Sequence, residues 1–404
     1  DQDIIKCGSY TGNGSSTGPV IDLGFEPQWL MIKGSSIAKE WRILDVMRGM
    51  PVGGSGAFLE ANSTAAEQTD TGPVALSANG FQLTQGGSET NNNNDTYIYM
   101  AIKRGSLFPP SAATDVFALE LADSSGNSTG TPEYISNFPV DMSITAYKLS
   151  GSVYYPALSS RLIQGKYLQI TNDSAEDPSG NFKYDYNNGW YYPDQASNFI
   201  SYMWKRAPGY FDVVCWNTEN TANRRLKHNL GVAPEMAWIK MRETSSYSGP
   251  RNWHVYHAAT NTKYMYLNTN DDPFSSDLFT THSATEFGIA ENERFAAGKK
   301  MIGFFFATLA GISKVGSVTH SGTTNVDCGF ASGSRFVLLK RIDANGDWFF
   351  WDSVRGIVSG NDPYLLLNSD AAEVTNTDYI DPLNAGFTIS DNFTDGNYIF
   401  YAIA

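Results

Sequence analysis

Short apolar runs rich in aromatic residues, separated by clusters of Gly, Asn and Asp, set the pattern of this chain. Tyr97 to Ile102 and Phe304 to Ala307 are typical. Runs of this length bounded by turn residues predict β-strands, and no stretch sustains a helical period for three turns. Ala344 to Asp347, reading Ala-Asn-Gly-Asp, lies between two such runs and predicts a hairpin turn.

The pattern repeats. LGFEPQWLMIK (Leu23 to Lys33) matches LGVAPEMAWIK (Leu230 to Lys240) without a gap; Cys328 to Lys340 is a third version and Phe138 to Lys148 a looser fourth. A nine-residue phrase, Trp, three residues, Asp, two residues, Arg-Gly, is written at Trp41 to Gly49 and again at Trp348 to Gly356. A strand running into a polar turn follows, then a Gly-aromatic strand and an aromatic closing strand. The expected fold is all-β: four tandem antiparallel β-sandwich (jelly-roll-like) domains of about 100 residues each, with about seven or eight strands in two sheets. The expected domains are 1–105, 106–208 (divergent), 209–312 and 313–404, with joints near Ser106, Gly209 and Ser313. Pro and Gly in Lys103 to Thr114 and in Lys205 to Gly209 mark places where two cores part.

Composition changes what such a fold does. Of 404 residues, 41% are hydrophobic, 13% aromatic and only 17% charged, so the surface is wetted by Asn, Ser, Thr, Gly and Tyr, as in many extracellular and virion β proteins. The net charge is −14 and no basic stripe is present, which argues against nucleic-acid binding. No polybasic segment or apolar run of roughly 18 residues argues for membrane attachment or insertion. The chain begins at Asp1 without Met, which reads as processing or trimming ahead of it. Cys7, Cys215 and Cys328 are too few and too scattered for a disulfide framework or zinc site and are expected to be buried free thiols on strands.

The candidate chemistry divides into structural and binding readings. Asp45 with Arg48, and Asp352 with Arg355, are spaced to pair locally, with Trp41 and Trp348 covering the pairs; two copies favour a tie that shapes a loop. GNGSSTG (Gly12 to Gly18) resembles a phosphate cradle but opens onto a strand, so no helix N-terminus is there to bind phosphate. His254 and His257 are three apart on one expected strand and point to opposite faces, which does not build a zinc site. Asp343, Asn345 and Asp347 alternate like calcium ligands but fit a hairpin turn; the run Asn91 to Asp95 is another stretch where calcium is conceivable. No cofactor, metal or catalytic residue is expected. In NFKYDYNNGWYYPD (Asn181 to Asp194), Tyr184, Tyr186 and Tyr191 stand beside amides and carboxylates, the arrangement that stacks on sugar rings. Trp190 occupies the place of Phe81 and Phe387 and is expected in the core, with Tyr191 outward and Tyr192 inward.

The succession YTGNGSSTGPVIDLGFEPQWLMIK, W…D..RG, N…AE, NGF.L and Y.Y.AIK resembles a repeat of unknown function found in virion structural and tail-fibre-like proteins of marine bacteriophages. Ile4 to Lys103 and Lys314 to Ala404 match it best; the third copy has His257 where Asp45 stands and lacks Arg-Gly, and the second departs furthest. The resemblance implies a non-enzymatic virion component, a tail fibre or capsid-surface decoration on the particle exterior, and supplies no catalytic residues. Its partners would be other virion proteins, further copies of itself (a trimer for a fibre) and host surface glycans, and tandem domains would extend a rod. Alternative expectations are a secreted carbohydrate-binding protein and a polysaccharide-degrading tailspike.

Overall fold

The computed structural model describes residues 4–52, 56–70, 72–87, 89–104, 108–122, 132–149, 155–178, 180–192, 198–243, 251–261 and 263–404. The fold is all-β: antiparallel strands fill four units, and the only helical pieces among the described residues are four single 3-10 turns. Among the described residues the units hold nine, seven, seven and eight strands in chain order. In each, a large sheet of five or six strands faces a small one of two or three. The opening strand pairs with the closing strand (Ile5–Thr11 with Thr96–Lys103 in the first unit), and the closing strand pairs in turn with the long second-row strand. That order recurs in all four large sheets, and every strand pair in them stays within one unit. Ala344 to Asp347 lies in the loop of the hairpin joining Phe336–Arg341 to Trp348–Asp352.

Registers place the repeats on one another. Trp29 faces Asp45, Met142 faces Ser160, Met236 faces His257 and Phe336 faces Asp352 across the same strand pair. The looser match of Phe138 to Lys148 is therefore shifted by two residues: Ala146, not Lys148, stands where Lys33, Lys240 and Lys340 stand.

Both faces of the large sheets of the second, third and fourth units are apolar because both are covered. In the closing strand of the fourth unit, Tyr398, Phe400 and Ala402 point into that unit's own core, while Ile399, Tyr401 and Ile403 point the other way into a second core. Met301 and Phe305 alternate in the same sense with Ile302, Phe304 and Phe306 in the third unit, as do Phe199 and Met203 with Ile200, Tyr202 and Trp204 in the second. A period of two with both sets buried is the mark of a sheet packed on both sides. The second core is common to the second, third and fourth units, and the first unit's own core is continuous with it. Tandem domains thus do not extend into a rod: the outward sheet faces of the second, third and fourth units meet, and burying them against one another removes more apolar surface from water than a string would.

The expected joints are accordingly not places where cores part. Ser106 falls outside the described residues. Two residues before it Arg104 binds Asp141 at 3.0 Å, and Arg206, in the next joint, binds Glu26 at 2.6 Å and lies 3.5 Å from Asp212. Arg161 reaches the other oxygen of Asp141 at 3.5 Å. Burial opposes ionisation of Asp141, but the guanidiniums of Arg104, Arg206 and Arg161 outweigh it and hold its carboxyl below the usual range.

Candidate functional site at the joints between units

The repeated phrase is a turn cap. Asp352 Oδ1 accepts from the amides of Val354 (3.0 Å) and Arg355 (2.9 Å), and Oδ2 binds Arg355 Nε at 2.5 Å. Asp45 repeats this with Met47 N (3.0 Å), Arg48 N (2.8 Å) and Arg48 Nε (2.5 Å). The divergent units keep the function with other side chains: His257 Nδ1 accepts from Ala259 N at 3.1 Å and Ser160 Oγ from Leu162 N at 3.3 Å. A short polar side chain that accepts from an amide two residues on is the general way to start such a turn.

The two full copies differ in what covers them. Asp352 and Arg355 side chains are 0% and 3% exposed, against 19% and 22% for Asp45 and Arg48. The cover over Asp352 comes from another unit: Tyr202 donates its hydroxyl to Oδ2 at 2.7 Å. Arg355 also binds Glu373 at 3.2 Å and lies over the ring of Phe350. The tryptophans do not cover the pairs, as the spacing had implied. Trp348 and Trp253 are spent on the preceding unit, donating their indole N–H to the carbonyls of Tyr266 (2.9 Å) and Gln169 (2.8 Å). Those two carbonyls are equivalent, since Leu267 and Ile170, the next residues, bond back to Trp253 and Pro156.

These contacts close into a ring of three. The third unit docks its tryptophan on the second, and the fourth docks on the third. The second has Pro156 in the tryptophan's place and meets the fourth through Tyr202 and through Glu373 N to Lys148 O at 2.9 Å. Beneath each docked indole lies a buried lysine. Lys340 donates to the carbonyls of Asp271 (2.8 Å) and Asn270 (3.3 Å) in the third unit as well as to two of its own, and Lys240 to Arg251 O at 2.6 Å. Burial pulls the Lys340 amine down to about 8 and that of Lys240 to about 7, partly opposed by nearby aspartates.

The first unit joins from outside this ring. Its loop reaches in to bond Val52 N to Leu162 O at 2.8 Å, and Arg242 Nη2 donates to Val52 O at 2.6 Å while its Nε binds Glu176 of the second unit at 2.8 Å.

The remaining candidates are structural as well. Tyr184 and Tyr191 are buried, so the sugar-stacking platform expected from Tyr184, Tyr186 and Tyr191 does not form. Tyr184 bonds Ser143 and stacks on Trp190, itself in the core, and only Tyr186 and Tyr192 are half-buried. The Asn and Asp neighbours that suggested exposure sit on the alternate, outward positions. The Gly12 to Gly18 loop is tied by Asn91, whose amide nitrogen donates to Ser15 O and Gln85 O at 2.8 Å. Asp343 pairs with Arg341 at 2.6 Å, Asn345 accepts from Asp272 N, and Asp347 accepts from Asn368. His254 and His257 do lie on opposite faces of one strand, each buried. Among the described residues the three cysteines are free; Cys215 and Cys328 are buried, but Cys7 is exposed, contrary to expectation, because the sheet face it stands on is uncovered.

A family model described as a domain of unknown function, DUF7483, matches residues 3–104 and 205–404, and the chain belongs to that family. The stretch between the two matched segments is the second unit, whose pattern departs furthest. No curated protein matches the chain.

Proposed function

We propose that this chain is a non-enzymatic structural component of a bacteriophage particle, an external tail-fibre or capsid-surface protein that presents β-sandwich units for assembly and host attachment. The observation that carries the reading is where the polar and aromatic side chains go. Asp352, Trp253, Trp348, Lys340 and Arg242 all hold one unit to another. A chain that invests its buried charges in joints is built to keep a shape, and sparse charge with many aromatics suits contact with further protein surfaces. The resemblance of the repeat to virion proteins supplies the particle. Gold-labelled antibody raised against the purified chain should decorate the tail or the capsid surface of intact phage. Label found only in the medium, with the chain retained on immobilised glycans, would replace this reading with a secreted carbohydrate-binding one.

A further inference from the structure

The first unit carries a sheet face that its three sister units bury. Its closing strand alternates as theirs do, yet only Tyr97, Tyr99 and Ala101 are buried, on the side of its own small sheet. The opposite residues are Ile98, 41% exposed, and the half-buried Met100 and Ile102. By register these correspond to Ile200, Tyr202 and Trp204, to Ile302, Phe304 and Phe306, and to Ile399, Tyr401 and Ile403, all buried in the ring of three. The opening strand continues the patch with Ile5, 42% exposed, and exposed Cys7.

Both halves of the docking contact are also present, and neither is bonded to another unit among the described residues. Trp41, at the position of Trp253 and Trp348, has its backbone amide bound to Asn62 Oδ1 at 3.0 Å as theirs are to Asn268 and Asn368. Its indole is half-exposed, and its N–H finds no acceptor among the described residues. The matching acceptor is the carbonyl of Glu60, because Ala61 N bonds to Trp41 O as Leu267 N bonds to Trp253 O; it accepts Ser63 N at 3.2 Å within its own turn and has a second lone pair for the indole. The turn beyond it, from Ala61 onward, is exposed, whereas the equivalent turn at Asn270 and Asp271 receives Lys340.

We infer that the first units of three copies of this chain assemble about a threefold axis, repeating between chains the ring that the second, third and fourth units make within one. The contact is head-to-tail: Trp41 and Lys33 of one copy meet the Glu60 carbonyl and the following turn of the next. A heterologous contact of this kind generates a ring when its rotation closes, and the sister sheets inside the chain, five-stranded where the first is six-stranded, close at three. The occupant is a second and third copy because the face corresponds to one that the sister units bury against this same edge; large uncovered apolar faces mark interaction sites. The inference rests on internal geometry and holds wherever the protein resides.

Sedimentation velocity on the whole chain at micromolar concentration should give three times 44.3 kDa. Ile98→Lys, at a position already half in water and therefore tolerable to the fold, should raise the dissociation constant at least tenfold, and Trp41→Phe several-fold. Val354→Lys, an exposed site in the fourth unit, should change nothing. Native labelling of Cys7 by a thiol reagent should slow at least tenfold as the trimer fills. A monomer at these concentrations with Cys7 labelled at a constant rate, a dimer, or a trimer unmoved by Ile98→Lys with circular dichroism unchanged would each overturn the inference.

Discussion

Removing Arg355 and removing Arg48 should have very different costs, although the two arginines occupy the same place in the same phrase. Arg355→Ala deletes the bond to Asp352 Oδ2, the contact with Glu373 and a donor to Phe350 O at 3.2 Å. Asp352 is then a wholly buried carboxylate with no cation beside it. Breaking a buried pair from one side costs roughly 3–5 kcal/mol. Here Val354 N, the amide of residue 355 and the Tyr202 hydroxyl still donate to the carboxylate, which places the loss near the lower end, about 3 kcal/mol. Over a cooperative unit of roughly 300 residues that lowers the melting temperature by about 5 °C. Arg48→Ala leaves Asp45 in partial contact with water and should cost no more than about 1 kcal/mol. Calorimetry and urea titration of the full chain measure both variants. Losses equal to within about 1 kcal/mol would show that cover by a second unit does not set the cost, and would remove the basis for separating the ring from the first unit.

Acid should act on the third unit first. Burial holds His228, His257 and His282 near 4 and, with Arg294 and Lys240 adding to it, His254 near 3. Folded values below the ordinary 6.5 mean that the unfolded chain takes up protons first as pH falls, so stability is full above about pH 6.5 and is lost on the way down to about 4, by roughly 1–2 kcal/mol per fully buried histidine between pH 7 and pH 5. Melting temperature against pH checks this, and His254→Phe, which replaces a buried ring packed among Tyr264, Tyr266 and Phe295, should flatten the slope; an unchanged slope would contradict it. Trp253→Phe should cost about 1–3 kcal/mol through the lost bond to Gln169 and lost volume, and Trp41→Phe, in the monomeric Ile98→Lys background, close to nothing; equal losses in urea titration would deny that Trp253 is a docking residue.

Strands and repeats were legible because both rest on local pattern: a period of two, turn residues between runs, and one phrase written twice. What lay beyond reading was which faces meet. Tyr97 to Ile102 and Ile399 to Ile403 are equally apolar strings, yet one has its outer face open and the other has it buried against two sister units. Nothing inside either string records that difference, which depends on contacts about a hundred residues away in sequence. Tyr184 and Tyr191 misled for a related reason. In this stretch Asp185 and Lys183 are exposed while Tyr184 between them is buried, so polar neighbours say little about the burial of the residue beside them. Ser160 went unnoticed as a cap because the phrase around it is gone, and only the register across Met142 recovers it.

The four cap positions show how duplication turned into architecture. Asp45, Ser160, His257 and Asp352 each accept an amide from the turn that follows, so that role predates the differences among them. What differs is the neighbour. Asp352 faces the Tyr202 hydroxyl and gains from a charge that Arg355 and Glu373 hold in place. His257 lies in the joint with the strand that carries Phe400, where burial keeps it neutral and an aspartate would have no cation to pair with. Ser160 precedes Arg161, which is committed to Asp141, so a second carboxylate there would compete for the same guanidinium. Asp45 alone keeps the full Asp–Arg pair without cover from a sister unit. Retaining a docking phrase on an uncovered face makes physical sense if that face docks too, against a surface that carries the same phrase.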